Sequence, residues 1–423
     1  MLTAHIKKNY LIAKLAVSER NSKLRDTLRL AILLDISDSM RGDRLTSVKR
    51  TLAAVKPLLN PTDRLTIVTF GTAAEVLVAH QPPTDHMFDL VDTLETAGNT
   101  NLQAGLEKLA EVARTGPAWD AVFLLTDGIV NLGITTTAGL QVMAQNIPTR
   151  WGAWYCLGYG GKHNRTLLRR LSVQTHGSYV YVADEELLPA AMGTIISGLR
   201  AETIGAVRIS VQPADEWVCQ EVGFNGSFYE LGAVQGERDY WCVWRRASTT
   251  ETQGQEQNTT LSWCGALDGG GIGGTALVNQ TDPPSEESLV QIWRCKAATV
   301  LAAASDTLEA DGLLPLPPCV EEFATSLNAV ESSHPLILRI KGQIADIQEM
   351  ATKRAAQPAP GPSPWGRSRG GDGDNDNLLA TISSGAAMLS TQHASVGDPG
   401  DYYATPLQRE ASQTTQESYV RTA

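Results

Sequence analysis

The apolar positions of the chain fall into two regimes of spacing, with a third, sparser region at the end. Leu28 to Leu34 is a near-continuous apolar run bounded by polar residues, the pattern of a strand covered on both faces. Leu45, Val48, Leu52, Val55 and Leu59 follow at helical spacing, with Pro57 late enough to shorten the last turn. The alternation then repeats. LTIVTF (65–70), AEVLVAH (74–80), AVFLLTDG, RWGAWYCLGYG and SYVYVA read as strands. HMFDLVDTL, NLQAGLEKLAEVAR, TAGLQVMAQNI, RTLLRRLSVQT and ELLPAAMGTIISGLRAE read as helices. Strands alternating with helices predict an α/β domain with a doubly wound, mostly parallel, Rossmann-like sheet over about 20–200.

From residue 204 the period changes. IGAVRISVQP, WVCQEVGF, SFYELGAV, RDYWCVWRRA and TTLSWCGAL are short strands separated by Gly and Pro, which predicts a small antiparallel β-sandwich. Residues 5–18 read as one early strand that the α/β sheet does not need, so it is a candidate to join the sandwich. Two helical segments follow, at 285–312 and 319–355. The expected division is an N-terminal strand (1–19), the α/β domain (20–200), the sandwich (201–283), a helical segment (284–355), a Pro/Gly-rich linker (356–377) and a polar tail (378–423).

Composition narrows the classes of function. The 423 residues carry 35 Lys and Arg against 46 Asp and Glu, a formal charge of −11, with no long basic run. Such a chain is poorly suited to nucleic acid, whose phosphates need clustered cations. No apolar run reaches the roughly 18 residues of a transmembrane helix. The start lacks a continuous apolar segment of the secretory type. Six cysteines, none within four residues of another, form no zinc knuckle and no CxxC motif, and read as reduced thiols. The expected location is therefore cytoplasmic.

The candidate chemistry lies at the ends of three predicted strands. The run 28–34 ends in Asp35-Ile36-Ser37-Asp38-Ser39, a D-x-S-x-S sequence whose side-chain oxygens at alternate positions can converge above the sheet. Thr100, in Gly98-Asn99-Thr100, offers a further hydroxyl, and Asp127, after AVFLLT, a second carboxylate. Oxygen donors without His or Cys select a hard cation. Three hydroxyls and two carboxylates suit Mg²⁺ or Mn²⁺ better than Ca²⁺. With two carboxylates the cation stays electrophilic and favours an external Asp or Glu as a further ligand. The plainer reading is that Asp, Ser and Thr before helices are N-caps and Asp-Gly after a strand is a turn.

LDISDSM, the following GDRL, LNPTDRLTIVTF, GNTNLQAGL and LLTDG, in this order, resemble the von Willebrand factor type A (VWA) domains over about 28–200. The resemblance implies an intact metal-ion-dependent adhesion site on Asp35, Ser37, Ser39, Thr100 and Asp127. Asp38 departs from the family pattern, which usually has Gly there; it is either an extra carboxylate near the site or a solvated loop residue. The remainder resembles intracellular multidomain members, some of which add a RING finger that this chain lacks. The expected function is a non-enzymatic protein-binding module that captures an acidic side chain of a partner protein through Mg²⁺. Two alternatives stand beside it: assembly through the sandwich and tail, with self-association, and a metal-assisted hydrolase.

Other signals have plainer readings. Gly269, Gly271 and Gly274 fit a G-x-G-x-x-G spacing without a following helix, and read as a hairpin loop. Asp372, Asp374 and Asp376 lack the Gly and Glu of a calcium loop. His163 and His176 read as caps or surface groups, and Trp217, Trp241, Trp244 and Trp263 as sandwich core, one of them a candidate partner contact. Thr405-Pro406 reads as a turn or a phosphorylation site.

Overall fold

A computed structural model describes residues 1–17, 24–127, 129–149, 153–159, 163–175, 177–182, 187–222, 224, 226–236, 238–247, 259–267, 270–278, 285–311, 316–356, 378–379, 381–383, 386 and 406–421. The first residues form a hairpin, β1 (Leu2–Lys7) and β2 (Tyr10–Val17), where the spacing predicts one strand; Lys8, at φ 53°, makes the reversal. The α/β unit follows. Its strands are β3 (Arg29–Asp35), β4 (Arg64–Phe70), β5 (Ala74–Gln81), β6 (Ala121–Thr126), β7 (Trp154–Tyr159) and β8 (Ser178–Val182). They lie side by side in the order β5-β4-β3-β6-β7-β8, all parallel except the antiparallel edge strand β5.

Because side chains alternate along a strand, β3 feeds two cores. Leu30, Ile32 and Leu34 pack towards α1 (Asp43–Val55), α2 (Asp85–Asp92) and α6 (Leu188–Arg200). Ala31 and Leu33 pack towards α3 (Leu102–Ala113), α4 (Thr137–Gln145) and α5 (Arg165–Gln174). Both faces are covered, which is why the strand sequence is continuously apolar.

The second unit is built from β9 (Glu202–Gln212), β10 (Trp217–Cys219), β11 (Phe228–Gln235), β12 (Arg238–Arg246), β13 (Thr260–Leu267) and β14 (Gly270–Leu277). Two four-stranded sheets, β1-β2-β12-β10 and β11-β9-β13-β14, share one core in which Leu11, Ala13 and Leu15 meet Val207, Ile209 and Val211. The N-terminal hairpin thus lies in this sandwich, β2 pairing with β12. The glycine run expected to be a loop is strand β14. A Cβ at Gly273 would come within 2.6 Å of the Trp263 carbonyl oxygen and one at Gly274 within 2.9 Å of its indole nitrogen, so these two positions beside Trp263 favour glycine.

Helices α7 (Glu286–Asp311), α8 (Pro318–Asn328) and α9 (Pro335–Ala355) form their own apolar core. The single helical segment read at 319–355 is broken between Asn328 and Pro335. Helix α7 lies against the outer face of the first sandwich sheet, where Cys295 joins Ile12, Trp241 and Val243. Arg294 of α7, fully buried, forks onto Glu221 through Nη1–Oε2 at 2.9 Å and Nη2–Oε1 at 2.5 Å. Both charges are out of water, so each depends on the other.

The last helix, α10 (Pro406–Arg421), lies in the stretch expected to be a polar tail and packs on α6 and α1. Its buried face is Gln408, Ala411, Thr415 and Tyr419. Tyr419 shares a 3.2 Å hydrogen bond with Ser47 and lies under the Arg50 guanidinium, 4.1 Å from its ring centre. Among the described residues no helix is long and apolar enough to cross a membrane.

Two substitutions test these joints and a third serves as a control. Glu221→Ala leaves Arg294 buried without its partner and is expected to cost about 3–5 kcal/mol, read from the urea midpoint. Lys353→Ala, which breaks an exposed pair with Glu349, leaves the same midpoint unchanged. Tyr419→Ala is expected to weaken docking of α10 by about 3 kcal/mol, seen as roughly hundredfold faster amide exchange along that helix.

Candidate functional site

Strand β3 sits at the point where the connection order of the parallel sheet reverses: the chain moves from it to β4 on one side and returns to β6 on the other. Crevices at such reversals, outside the carboxyl ends of the strands, are where α/β sheets bind ligands. Leu34 and Leu125 are register partners, so Asp35, the last residue of β3, and Asp127, just past the end of β6, emerge from neighbouring strands.

Beyond Asp35 the Ile36 N–H bonds the Phe70 carbonyl at 2.8 Å, and a short helical turn, Asp38–Met40, leads towards α1. This path brings the serines back over the strand ends. Ser37 Oγ lies 2.9 Å from Ser39 Oγ, and Ser39 donates to Asp127 Oδ1 at 2.8 Å. Asp35 Oδ1 accepts the Ser37 N–H at 2.8 Å and Oδ2 accepts the Thr126 hydroxyl at 2.5 Å. Asp35, Ser37, Thr100 and Asp127 are all buried.

Thr100 belongs to the adjoining loop before α3. That loop is tied to the first one by Asp38 N–H to the Gly98 carbonyl at 2.8 Å and Ala97 N–H to the Ile36 carbonyl at 2.6 Å. Gly98 has φ 69°, and a Cβ there would strike the Thr72 hydroxyl at 2.2 Å, so the turn requires glycine. Thr100 exchanges bonds with Asn131 in both directions: its N–H donates to Asn131 Oδ1 at 3.0 Å, and the Asn131 N–H donates to the Thr100 carbonyl at 3.1 Å. Among the described residues the Thr100 hydroxyl bonds to none of Asp35, Ser37, Ser39 or Asp127. Four of the five predicted positions therefore form one contiguous polar group, and the fifth stands on the loop beside it.

The two carboxylates are compensated differently. Burial pushes the Asp35 carboxyl up to about 6; the bonds from Ser37 and Thr126 oppose the rise and the neighbouring Asp127 charge adds to it. Asp127 Oδ2 is bonded by the Arg44 guanidinium, which also donates to the Ser39 carbonyl at 3.1 Å. Asp38 is exposed and paired with Arg41 at 2.9 Å, as a solvated loop residue would be. Sequence reasoning did not single out Thr126, Asn131 or Arg44 as site residues. Arg44 lies inside the GDRL segment, but nothing in that segment says which carboxylate it reaches.

Among the described residues no group of three or more His, Cys, Asp or Glu is placed to hold a metal. A cation at this position would draw on two carboxylates and on hydroxyls, a donor set that fits a hard ion such as Mg²⁺ and not a thiophilic one. The other signals are accounted for or fall outside the described residues. His163, expected to be a cap or surface group, is instead buried with Nε2 2.6 Å from the Tyr179 hydroxyl. Trp217, Trp241 and Trp244 are buried and Trp263 is partly so; Trp217, Trp244 and Trp263 border the sandwich core, and Trp241 packs on its outer face against α7. All six cysteines are free thiols. His176, Gly269, the aspartates at 372–376 and Thr405 lie outside the described residues.

Residues 30–129 match the family model for the von Willebrand factor type A domain. Over 161 residues the chain is 28% identical to inter-alpha-trypsin inhibitor heavy chain H3 of Pongo abelii, covering 35% of this chain and 18% of that protein. It is 26% identical over 160 residues to an uncharacterized protein of Synechocystis sp., covering 37% of each chain. The chain thus spans less than half the length of these relatives. Over most of its length the fold is similar to that of a von Willebrand factor type A protein from Catenulispora acidiphila, with a TM-score of 0.64 at 15% identity over 90% of this chain and 95% of that one. It is also similar to the ArnB paralog VWA2 from Sulfolobus acidocaldarius, with a TM-score of 0.58 at 12% identity over 92% and 97%. The α/β unit that carries Asp35 and Asp127 has a von Willebrand factor type A-like fold, and residues 30–129 within it match the model of that domain.

Proposed function

We propose that this domain is a non-enzymatic protein-binding module that holds Mg²⁺ at Asp35, Ser37, Ser39, Thr100 and Asp127 and captures an Asp or Glu side chain of a partner protein. One observation carries the reading: the hydrogen-bonded chain Ser37–Ser39–Asp127 beside the buried Asp35, at the ends of two adjacent parallel strands. When bound, the cation supplies an electrophilic position for an incoming carboxylate. The protein's own groups do the rest. Asp35 and Asp127 provide charge, Ser37 and Ser39 provide neutral oxygens already gathered in one place, and Asn131 fixes the backbone of Thr100.

Two features favour binding over the alternatives. The tail helix α10 has its buried face on α1 and α6 of the same chain, which argues against assembly through the tail. A hydrolase needs a base or nucleophile near the cation; Asp38, the remaining carboxylate of the loop, is exposed and paired with Arg41. Six free thiols, four of them buried, support a reducing, cytoplasmic setting.

Calorimetric titration of EDTA-stripped protein with MgCl₂, MnCl₂ and CaCl₂ is the direct test. One site is expected, preferring Mg²⁺ and Mn²⁺, and lost in Asp35→Ala and in Asp127→Ala. A hundredfold excess of Mg²⁺ over its Kd should stabilise the fold by about 2.7 kcal/mol in wild type and not in these variants. Proteins captured in Mg²⁺ should be released by EDTA and absent from Ser37→Ala/Ser39→Ala. Capture that ignores metal would move the function to the sandwich and tail.

A further inference from the structure

Asp127 is wholly buried and both of its oxygens are engaged, Oδ1 by the Ser39 hydroxyl at 2.8 Å and Oδ2 by Arg44. The Arg44 side chain is different in kind from the rest of the cluster. It is 40% exposed, it comes from the first turn of α1, and it carries a full positive charge into hydrogen-bond range of a carboxylate that a cation would use. A cation in the first turn of a helix also faces the positive end of the helix dipole, so α1 does not favour it there. What holds it is Asp127 together with the Ser39 carbonyl, 3.1 Å away. Among the described residues Asp35 has no such partner: its bonds come from Thr126 and Ser37, both neutral.

We infer that Arg44 is an internal counter-ion that competes with the divalent cation for Asp127 and so sets the affinity of the metal site. The inference rests on the metal reading above. A divalent ion drawing on Asp127 meets the guanidinium at short range, beside a carboxylate that is itself buried, where screening is weaker than in bulk water. Arg44 has to give up Oδ2, and its half-exposed side chain has a path to do so by swinging towards solvent. Asp127 is thus never left as an uncompensated buried charge: it passes from an arginine to a metal ion. The released guanidinium then stands at the rim of the site, where it adds to the attraction for an acidic ligand and disfavours a basic one.

The test uses the full chain and the metal alone. Arg44→Gln keeps a hydrogen-bond donor and removes the charge; Arg44→Lys keeps the charge. Calorimetry with Mg²⁺ and Mn²⁺ should show the Gln variant binding about tenfold tighter or more, with the Lys variant within about threefold of wild type. In EDTA the Gln variant should melt below wild type, and in saturating Mg²⁺ the difference should close. A Gln variant that binds metal as wild type does, or more weakly, overturns the inference while leaving the metal reading in place. If neither wild type nor the Gln variant binds metal, both fall. If only the Gln variant binds, the competition is confirmed at its strongest. A measurement on wild type alone gives an independent check. The Nε–Hε resonance of Arg44 in labelled protein should shift as Mg²⁺ saturates the site, and a resonance that stays in place overturns the exchange.

Discussion

Two carboxylates buried side by side at the ends of β3 and β6 set the terms for the upper face of the α/β domain. A buried charge is tolerated only when it is paired or well hydrogen-bonded, and like charges on adjacent strands raise the demand. The opposite end of the same sheet shows what full compensation looks like. There Asp63 takes both Arg200 Nη atoms, at 3.0 and 2.7 Å, and also caps the Leu28 N–H at 2.7 Å. Asp120 holds Arg25 and the Arg29 N–H. Each carboxylate at the lower end has its own arginine, whereas among the described residues only Asp127 of the upper pair is bonded by one, Arg44. The lower pair closes the fold; among the described residues the upper pair has one arginine for two carboxylates, and the proposed cation would supply the charge that the lower end obtains from its second arginine.

The same constraint explains the loops. The serines at alternate positions after β3 relay the cluster from one strand end to the other, and the turn through Asp38–Met40 brings Ser39 to Asp127. The glycine turn at 98 presses the Thr100 loop against the first one, and Asn131 ties it to the segment that follows β6. Three loops far apart in sequence are thereby fixed to one another by backbone and amide bonds before any ligand takes part.

How much of this was legible in the sequence depends on whether a feature is local. The doubly wound sheet is written in continuous apolar runs and helical stripes, and D-x-S-x-S at the end of such a run marks a candidate site, which the structure shows as a hydrogen-bonded cluster. The pairing of Arg44 with Asp127 joins residues 83 apart, and the sequence around Arg44 does not encode it. Strand β14 was hidden because glycines signal turns, whereas here they make room beside Trp263. The tail helix was hidden for a related reason. Its contact with α6 is a close approach of small and polar groups, not an apolar stripe. A Cβ at Gly193 would lie 2.5 Å from the Thr415 hydroxyl, and one at Gly198 would lie 2.6 Å from the Gln408 amide. Hydrophobic periodicity does not register packing of that kind.

Helix α1 joins these two hidden features. Its first turn carries Arg44, bonded to Asp127, and within the next two turns Ser47 and Arg50 are held by Tyr419 of the tail helix. Arg50 also donates to the Tyr419 carbonyl at 3.2 Å, so the grip is on backbone as well as ring. A helix moves as a nearly rigid rod over this distance, about 9 Å from residue 44 to residue 50. Sliding α1 along its axis would therefore strain the tail contacts, whereas rotating the Arg44 side chain would not. Any release of Asp127 by Arg44 is thus cheapest as a side-chain movement, with the tail helix holding the rod still.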